Sequence, residues 1–302
     1  MPKPKAPKLH KFIKPYLVVS GKDFRLKDHD PGDTHHLHSE DKPEAKKLVA
    51  EGVKMLAELQ DMLFAQSNWG LLLIFQAMDA AGKDSTIKHV MSGVNPQGVD
   101  VYSFKAPSSE ELSHDFLWRT NRCLPPRGKI GIFNRSYYEE VLVVRVHKEA
   151  LANERIPPPL ITKDIWEQRF EDMNSFERYL DRNGIVVRKF FLNLSKKEQK
   201  RRLLDRLDQP DKNWKLSASD AHEREFWDDY MKAYEAMVVN TATKRAAWYV
   251  VPADNKWFTR IVVAAAIVEA LEDLDLAYPK VDAAKRKELQ AARAILEGEK
   301  DD

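Results

Sequence analysis

The sequence predicts one α/β domain whose mostly parallel sheet is covered by helices on both faces. Three observations carry this. From residue 71 onward, strand-like segments alternate with helical ones. The run LLLIFQAM (71–78) is apolar along nearly all its length, as befits a strand buried on both faces. That run ends in a tight turn carrying Gly82-Lys83, and a helical stretch begins at once.

Residues 1–43 are rich in Lys, Pro, His and Asp without a sustained period, and read as an arm laid over the surface. His35, His36 and His38 lack the spacing of a helical metal site, so a solvated polar loop is the plainer reading. Pro43 suits a first helical turn. From there to Gln66, Leu48, Val53, Leu56, Leu59 and Leu63 recur at helical spacing. Gly70 interrupts the pattern before the strand 71–78. Next come a helix from Lys83 to Ser92, a strand at 99–104 and a helix at 108–124 opening on the cap-like Ser109. The strand at 129–136 runs into another helix. An amphipathic helix at 161–184 ends on Gly184, and a strand follows at 185–194. A basic helix, SKKEQKRRLLDRL, leads to a helix at 217–241, a strand at 247–253 and a long helix from Lys256. The expected organisation is an arm (1–43), one core domain (44–280) with five strands, and a charged tail (281–302).

The 302 residues are 43% hydrophobic and include seven Trp, which excludes a mainly disordered chain. A formal net charge of +2 argues against a generally basic coat for nucleic acid. A single cysteine, Cys123, excludes an intrachain disulfide and a multi-cysteine metal site, and suits a reducing cytoplasm. The basic N-terminal stretch lacks the apolar run and cleavage site of a signal peptide. The aliphatic runs Leu71–Phe75 and Ile261–Val268 fall far short of the ~18 residues a membrane span needs, so no membrane partner is expected.

Chemistry concentrates in LLLIFQAMDAAGKDSTIKHV (71–90). Backbone N–H groups of Ala80, Ala81, Gly82, Lys83, Asp84 and Ser85, at a strand–turn–helix junction, make an anion nest, and Lys83 adds a point charge on phosphate. Against the usual G-x-x-x-x-G-K-[ST] string, Ala77 replaces the first glycine and Asp84 follows the lysine. A metal-binding hydroxyl would come from Ser85 or Thr86, or the metal would be held by a carboxylate. The alternative is a plain junction whose glycine serves only the turn. Asp79 would repel phosphate unless a cation lay between them, which favours Mg²⁺ bridging Asp79 and phosphate oxygens; a partner for the helix dipole is the plainer role.

The third strand ends in IFNRSYYEE (132–140), which can deliver Asn134, Arg135 and Ser136 to the same crevice, with Glu139 one turn beyond. Arg135 can neutralise transferred charge; the alternative is a surface arginine that caps the strand end. Residues 196–215 carry eight basic and four acidic residues. Such a run is commonly a solvated helix face. Beside a phosphate turn, a basic lid over a polyanionic substrate accounts for it better, with Asp208-Gln209-Pro210-Asp211 as its turn.

With these segments together, the sequence resembles the polyphosphate kinase 2 family. The resemblance runs through 76–99, 124–146, the lid-like RLDQPDKNWKLSASD (206–220) and WYVVPADNKWF (248–258). FNRSYYEE resembles the class III subgroup, with Glu139 where class I carries asparagine, a position the family ties to acceptor choice. The resemblance implies a thymidylate-kinase-like P-loop kinase fold with a helical lid over about 196–220, in a homo-oligomer (dimer or tetramer). It further implies that Lys83 binds the exchanged phosphates and that Asp79, with Glu139, holds Mg²⁺. Arg135 matches the second-motif arginine, Arg206 a lid arginine, and Arg202 and Lys215 join the expected phosphate ligands. The implied reaction moves the terminal phosphoryl group of inorganic polyphosphate to AMP or ADP, giving ADP or ATP. An ATP-using nucleoside monophosphate kinase and a non-enzymatic polyphosphate-binding protein are the alternatives.

Overall fold

The computed structural model describes residues 7–211, 213 and 218–299. Six strands form one sheet: β1 (Leu17–Val18), β2 (Gly70–Gln76), β3 (Val99–Ser103), β4 (Ile130–Asn134), β5 (Ile185–Asn193) and β6 (Trp248–Pro252). The order across the sheet is β1-β6-β5-β2-β4-β3. The five strands expected from the hydrophobic pattern run parallel, with β2 central between β4 and β5. The sixth, β1, was not expected. It comes from the N-terminal segment and joins β6 antiparallel, Leu17 opposite Tyr249.

Alternation along β2 divides the core. Leu71, Leu73 and Phe75 enter one apolar layer, and Leu72 and Ile74 enter the other. The first layer is roofed by α1 (Lys42–Gln66), α2 (Lys83–Val90) and, later in the chain, the helix Lys256–Glu272. The second lies under α3 (Ile165–Arg182) and the helix Trp227–Thr241. Between these, α4 (Lys196–Leu207) rises from the end of β5, with Ser195 capping the Glu198 N–H at 3.1 Å. We call Trp227–Thr241 α5, Lys256–Glu272 α6 and the exposed Ala283–Gly298 α7. Every residue from Ile261 to Val268 is fully buried, so α6 is apolar all round because protein surrounds it. Among the described residues, no helix is long and apolar enough to cross a membrane.

Three expectations are corrected. The segment 1–43 does not merely lie on the surface: Leu9, Phe12, Ile13 and Tyr16 are core residues, and Phe12 and Tyr16 pack edge-on against Phe258. The helix expected at 108–124 is a 3-10 turn at Glu111–Ser113 and a single helical turn at Trp118–Asn121. Between them His114 is extended, and the Asp115 carboxylate accepts the Leu117 N–H at 3.0 Å. That local bond competes with a helix. Likewise the helix at 217–241 begins as a short helix, Ala218–His222, and a 3-10 turn, Glu223–Phe226, before α5.

Candidate active site

The carboxyl ends of β2 and β4 lie side by side at the centre of the sheet, where the chain's crossovers change direction and a crevice opens. Beyond β2 the backbone turns sharply. Ala80 takes a left-handed φ of 64° and Gly82 one of 103°, conformations that favour glycine at the second position and strain an alanine at the first. The Ala81 N–H reaches the Met78 carbonyl at 3.3 Å, and the Thr86 N–H reaches Gly82 at 2.9 Å as α2 begins. Lys83 is only 8% exposed, and its Nζ donates to the Ala77 carbonyl at 2.8 Å. Burial lowers its pKa, opposed by the neighbouring Asp79 carboxylate. Ser85 lies in the cleft with its hydroxyl on the Gly82 carbonyl, whereas Thr86 is buried.

At the end of β4, Arg135 also has a left-handed φ, 64°, and its N–H bonds the Phe75 carbonyl at 3.0 Å, tying the two strand ends together. Its guanidinium meets Asp79 Oδ1 at 2.9 Å. Burial opposes its charge, but Glu139 and Asp79 outweigh that and hold its pKa above the ordinary value. Asn134 donates to Asp84 Oδ1 at 2.6 Å. Glu139, on the 3-10 turn Tyr137–Val141, accepts from Gln76 Nε2 at 3.0 Å. Beneath that turn lies a fully buried polar network. Tyr137 and Tyr138 both donate to Glu177 Oε1, at 2.8 and 2.7 Å. Lys189 Nζ donates to Glu177 Oε2 at 2.7 Å, to the Tyr138 hydroxyl at 2.9 Å and to the Thr241 carbonyl at 2.8 Å.

The third wall is α4. Here Arg202 has a task beyond the one expected. It is 4% exposed, and its five N–H groups are engaged: Nε on Glu198, Nη1 on the carbonyls of Ala80 and Ala81, Nη2 on those of Ala253 and Asp254. A guanidinium so committed fixes the phosphate turn, and it also lines the cleft. Gln199 adds a bond from Nε2 to the Asp79 carbonyl at 3.1 Å. Arg206 lines the cleft as expected, whereas Lys215 lies outside the described residues.

Together these walls enclose a cleft of about 680 Å³ that brings Asp79, Lys83, Asp84, Asn134, Arg135 and Arg206 together. Glu139 is not among its lining residues, although its charge acts on both Lys83 and Arg135. The cleft also holds two cations that sequence reasoning did not single out, Lys105 and Lys256. Lys105 stands two residues past the end of β3 and Lys256 opens α6, placements at the carboxyl edge of the sheet visible only once strand order is known.

Among the described residues, no three His, Cys, Asp or Glu side chains gather into a metal cage. The carboxylates of Asp79 and Glu139 suit a hard divalent cation that takes one or two protein oxygens and completes its shell with phosphates and water. The buried Oε1 of Gln76, beside Glu139, lacks a partner and fits a water of such a shell.

A phosphate-cradling turn at the centre of a parallel, doubly covered sheet, opening into a cationic cleft, defines a phosphotransferase of the P-loop kinase class. Residues 38–279 match the family model described as polyphosphate kinase 2 (PPK2). The chain is 51% identical over 258 residues to an ADP-polyphosphate phosphotransferase of Rhodopseudomonas palustris, covering 85% of this chain and 89% of that protein. It is 42% identical over 275 residues to an AMP/ADP-polyphosphate phosphotransferase of Meiothermus ruber, covering 91% and 98%. The crystal structure of polyphosphate kinase 2 from Arthrobacter aurescens superimposes with a TM-score of 0.82 at 40% identity, covering 94% of this chain and 98% of that one. The chain belongs to the polyphosphate kinase 2 family.

Proposed function

We propose that this protein transfers the terminal phosphoryl group of inorganic polyphosphate to AMP and to ADP, giving ADP and ATP, with Mg²⁺ and reversibly. The observation that carries this reading is the convergence of Lys83, Asp79 and Arg135 from two adjacent strand ends, in a chain of this family. The acceptor is already an ionised phosphate oxygen, so no strong general base is needed. Catalysis is positioning plus charge neutralisation.

In this reading the backbone of residues 80–85 and the ammonium of Lys83 cradle the exchanged phosphates, while Arg206 and Lys256 hold the polyanion on the α4 side. Arg135 waits on Asp79 at 2.9 Å and exchanges that contact for the transferred group. Asp79 and Glu139 would hold Mg²⁺, which when bound neutralises phosphate oxygens of donor and acceptor. Use of both acceptors is supported by Glu139 in FNRSYYEE and by the name of the M. ruber relative. The name of the R. palustris relative favours the narrower reading, ADP alone. A cytoplasmic homo-oligomer completes the proposal, carried by the family resemblance and, for the compartment, by the lone cysteine.

The test is nucleotide chromatography after incubating the purified chain with Mg²⁺, polyphosphate and either AMP or ADP, without ATP. AMP giving ADP and then ATP supports dual acceptance. ATP from ADP alone selects the narrower reading. Activity appearing only on addition of ATP makes the protein a nucleoside monophosphate kinase instead.

A further inference from the structure

Gln76 departs from the strand it closes. Leu72 and Ile74 share its face of β2 and are apolar, so the alternation calls for another apolar residue at the third position. A glutamine stands there instead, fully buried. Its Nε2 donates to Glu139 Oε1 at 3.0 Å, while its own Oε1 is buried without a partner. A buried amide oxygen with no donor is unfavourable. Rotating the amide to place it elsewhere would set oxygen against carboxylate and lose the bond to Glu139.

The partner explains why such a residue is kept. Glu139 and Asp79 both act electrostatically on the Arg135 guanidinium, but its hydrogen bond and ion pair go to Asp79. A Glu139 carboxylate without an anchor would be drawn toward Arg135, whose guanidinium already feels its charge. We propose that Gln76 is a positioning residue for phosphoryl transfer: it pins one oxygen of Glu139, keeps that carboxylate off Arg135 and leaves its other oxygen for the metal and acceptor role assigned to Glu139. This rests on the part assigned above to Glu139.

The test is a double-mutant cycle on the full chain, using Gln76→Met, Glu139→Gln and the pair. Methionine matches glutamine in volume and removes both polar atoms. With polyphosphate as donor, Gln76→Met lowers kcat/KM for AMP and for ADP about tenfold or more, within the range expected of a lost positioning contact. The KM for polyphosphate changes less than that for the acceptor, because the phosphate turn and Lys83 are untouched. AMP affinity measured by calorimetry weakens in parallel. In the Glu139→Gln background, adding Gln76→Met weakens AMP binding by less than about threefold, since the pair acts as one unit. Equal losses in both backgrounds, or no loss at all, overturn the proposal. Thermal melting accompanies each variant, and if Gln76→Met fails to fold, Gln76→Asn, which keeps a buried amide but falls one methylene short, carries the same expectation. Should the wild type use only ATP as donor, the polyphosphate reading falls, and the same cycle is read with ATP.

Discussion

Arg202 donates from Nη1 to the Ala81 carbonyl at 2.9 Å, fastening the second residue of the phosphate turn to the helix that forms the opposite wall of the cleft. The same guanidinium reaches the loop after β6 through Ala253 and Asp254. One side chain thus sets the spacing of three segments that no strand pairing holds together.

Arg202→Lys keeps the charge but cannot bridge four carbonyls. It should weaken stability by about 2–4 kcal/mol, since several buried acceptors lose their donor. Turnover should fall more than substrate affinity, because the nest is still present but misaligned. Urea denaturation and steady-state kinetics check this, and a fully active, equally stable variant would refute the role given to Arg202.

Lys83→Ala should reduce phosphoryl transfer by roughly 10²–10³-fold or more, the scale for removing a preorganised donor from developing charge. Its loss frees only the Ala77 carbonyl, so the melting temperature should move by a few degrees at most. Transfer persisting near the wild-type rate would show that Lys83 is not the phosphate cation.

Lys189→Met should cost about 3–5 kcal/mol, because it strands the buried Glu177 carboxylate without its cation. Replacing both, as Lys189→Met with Glu177→Gln, should recover part of the loss. Circular dichroism melts compare them. Lower activity in the recovered double variant would show that the network under Tyr137 and Tyr138 also orients Arg135 and Glu139.

Burial, reinforced by the neighbouring Glu154 carboxylate, holds the Glu140 pKa well above the ordinary 4.5. A carboxyl raised in the folded state binds a proton that the unfolded chain releases. The wild type should therefore lose stability as pH climbs above about 4.5, up to the raised folded value. Glu140→Gln removes that dependence. Its melting temperature relative to wild type should rise between pH 5 and pH 8, as differential scanning fluorimetry would read. A constant difference across that range would contradict the raised Glu140 pKa.

The five parallel strands and the phosphate turn were legible because β2, β5 and β6 are apolar on both faces and Gly82-Lys83 sits where a strand meets a helix. The identity of Arg202 as a structural clamp was not, because a basic helix looks alike whether its arginines face solvent, phosphate or backbone carbonyls. Nor was β1, since Pro15 interrupts Phe12, Ile13, Tyr16 and Leu17, and the strand that pairs with it, β6, lies more than two hundred residues away. Asp115 hid a second feature: nothing in SHDF separates a helix from a turn in which the carboxylate takes the Leu117 N–H.

The order of strands in the sheet sets an order of events on the ribosome. β2 is made first among the parallel strands except that its two neighbours, β4 and β5, emerge only by Asn134 and Asn193. At ordinary rates of synthesis, about 5–20 residues per second, β2 waits on the order of ten seconds for its second partner. The N-terminal segment waits longer still, since β1 needs β6. The nascent chain therefore exposes its most apolar strand throughout synthesis of the middle of the protein, and that interval is when a chaperone would matter most to its yield.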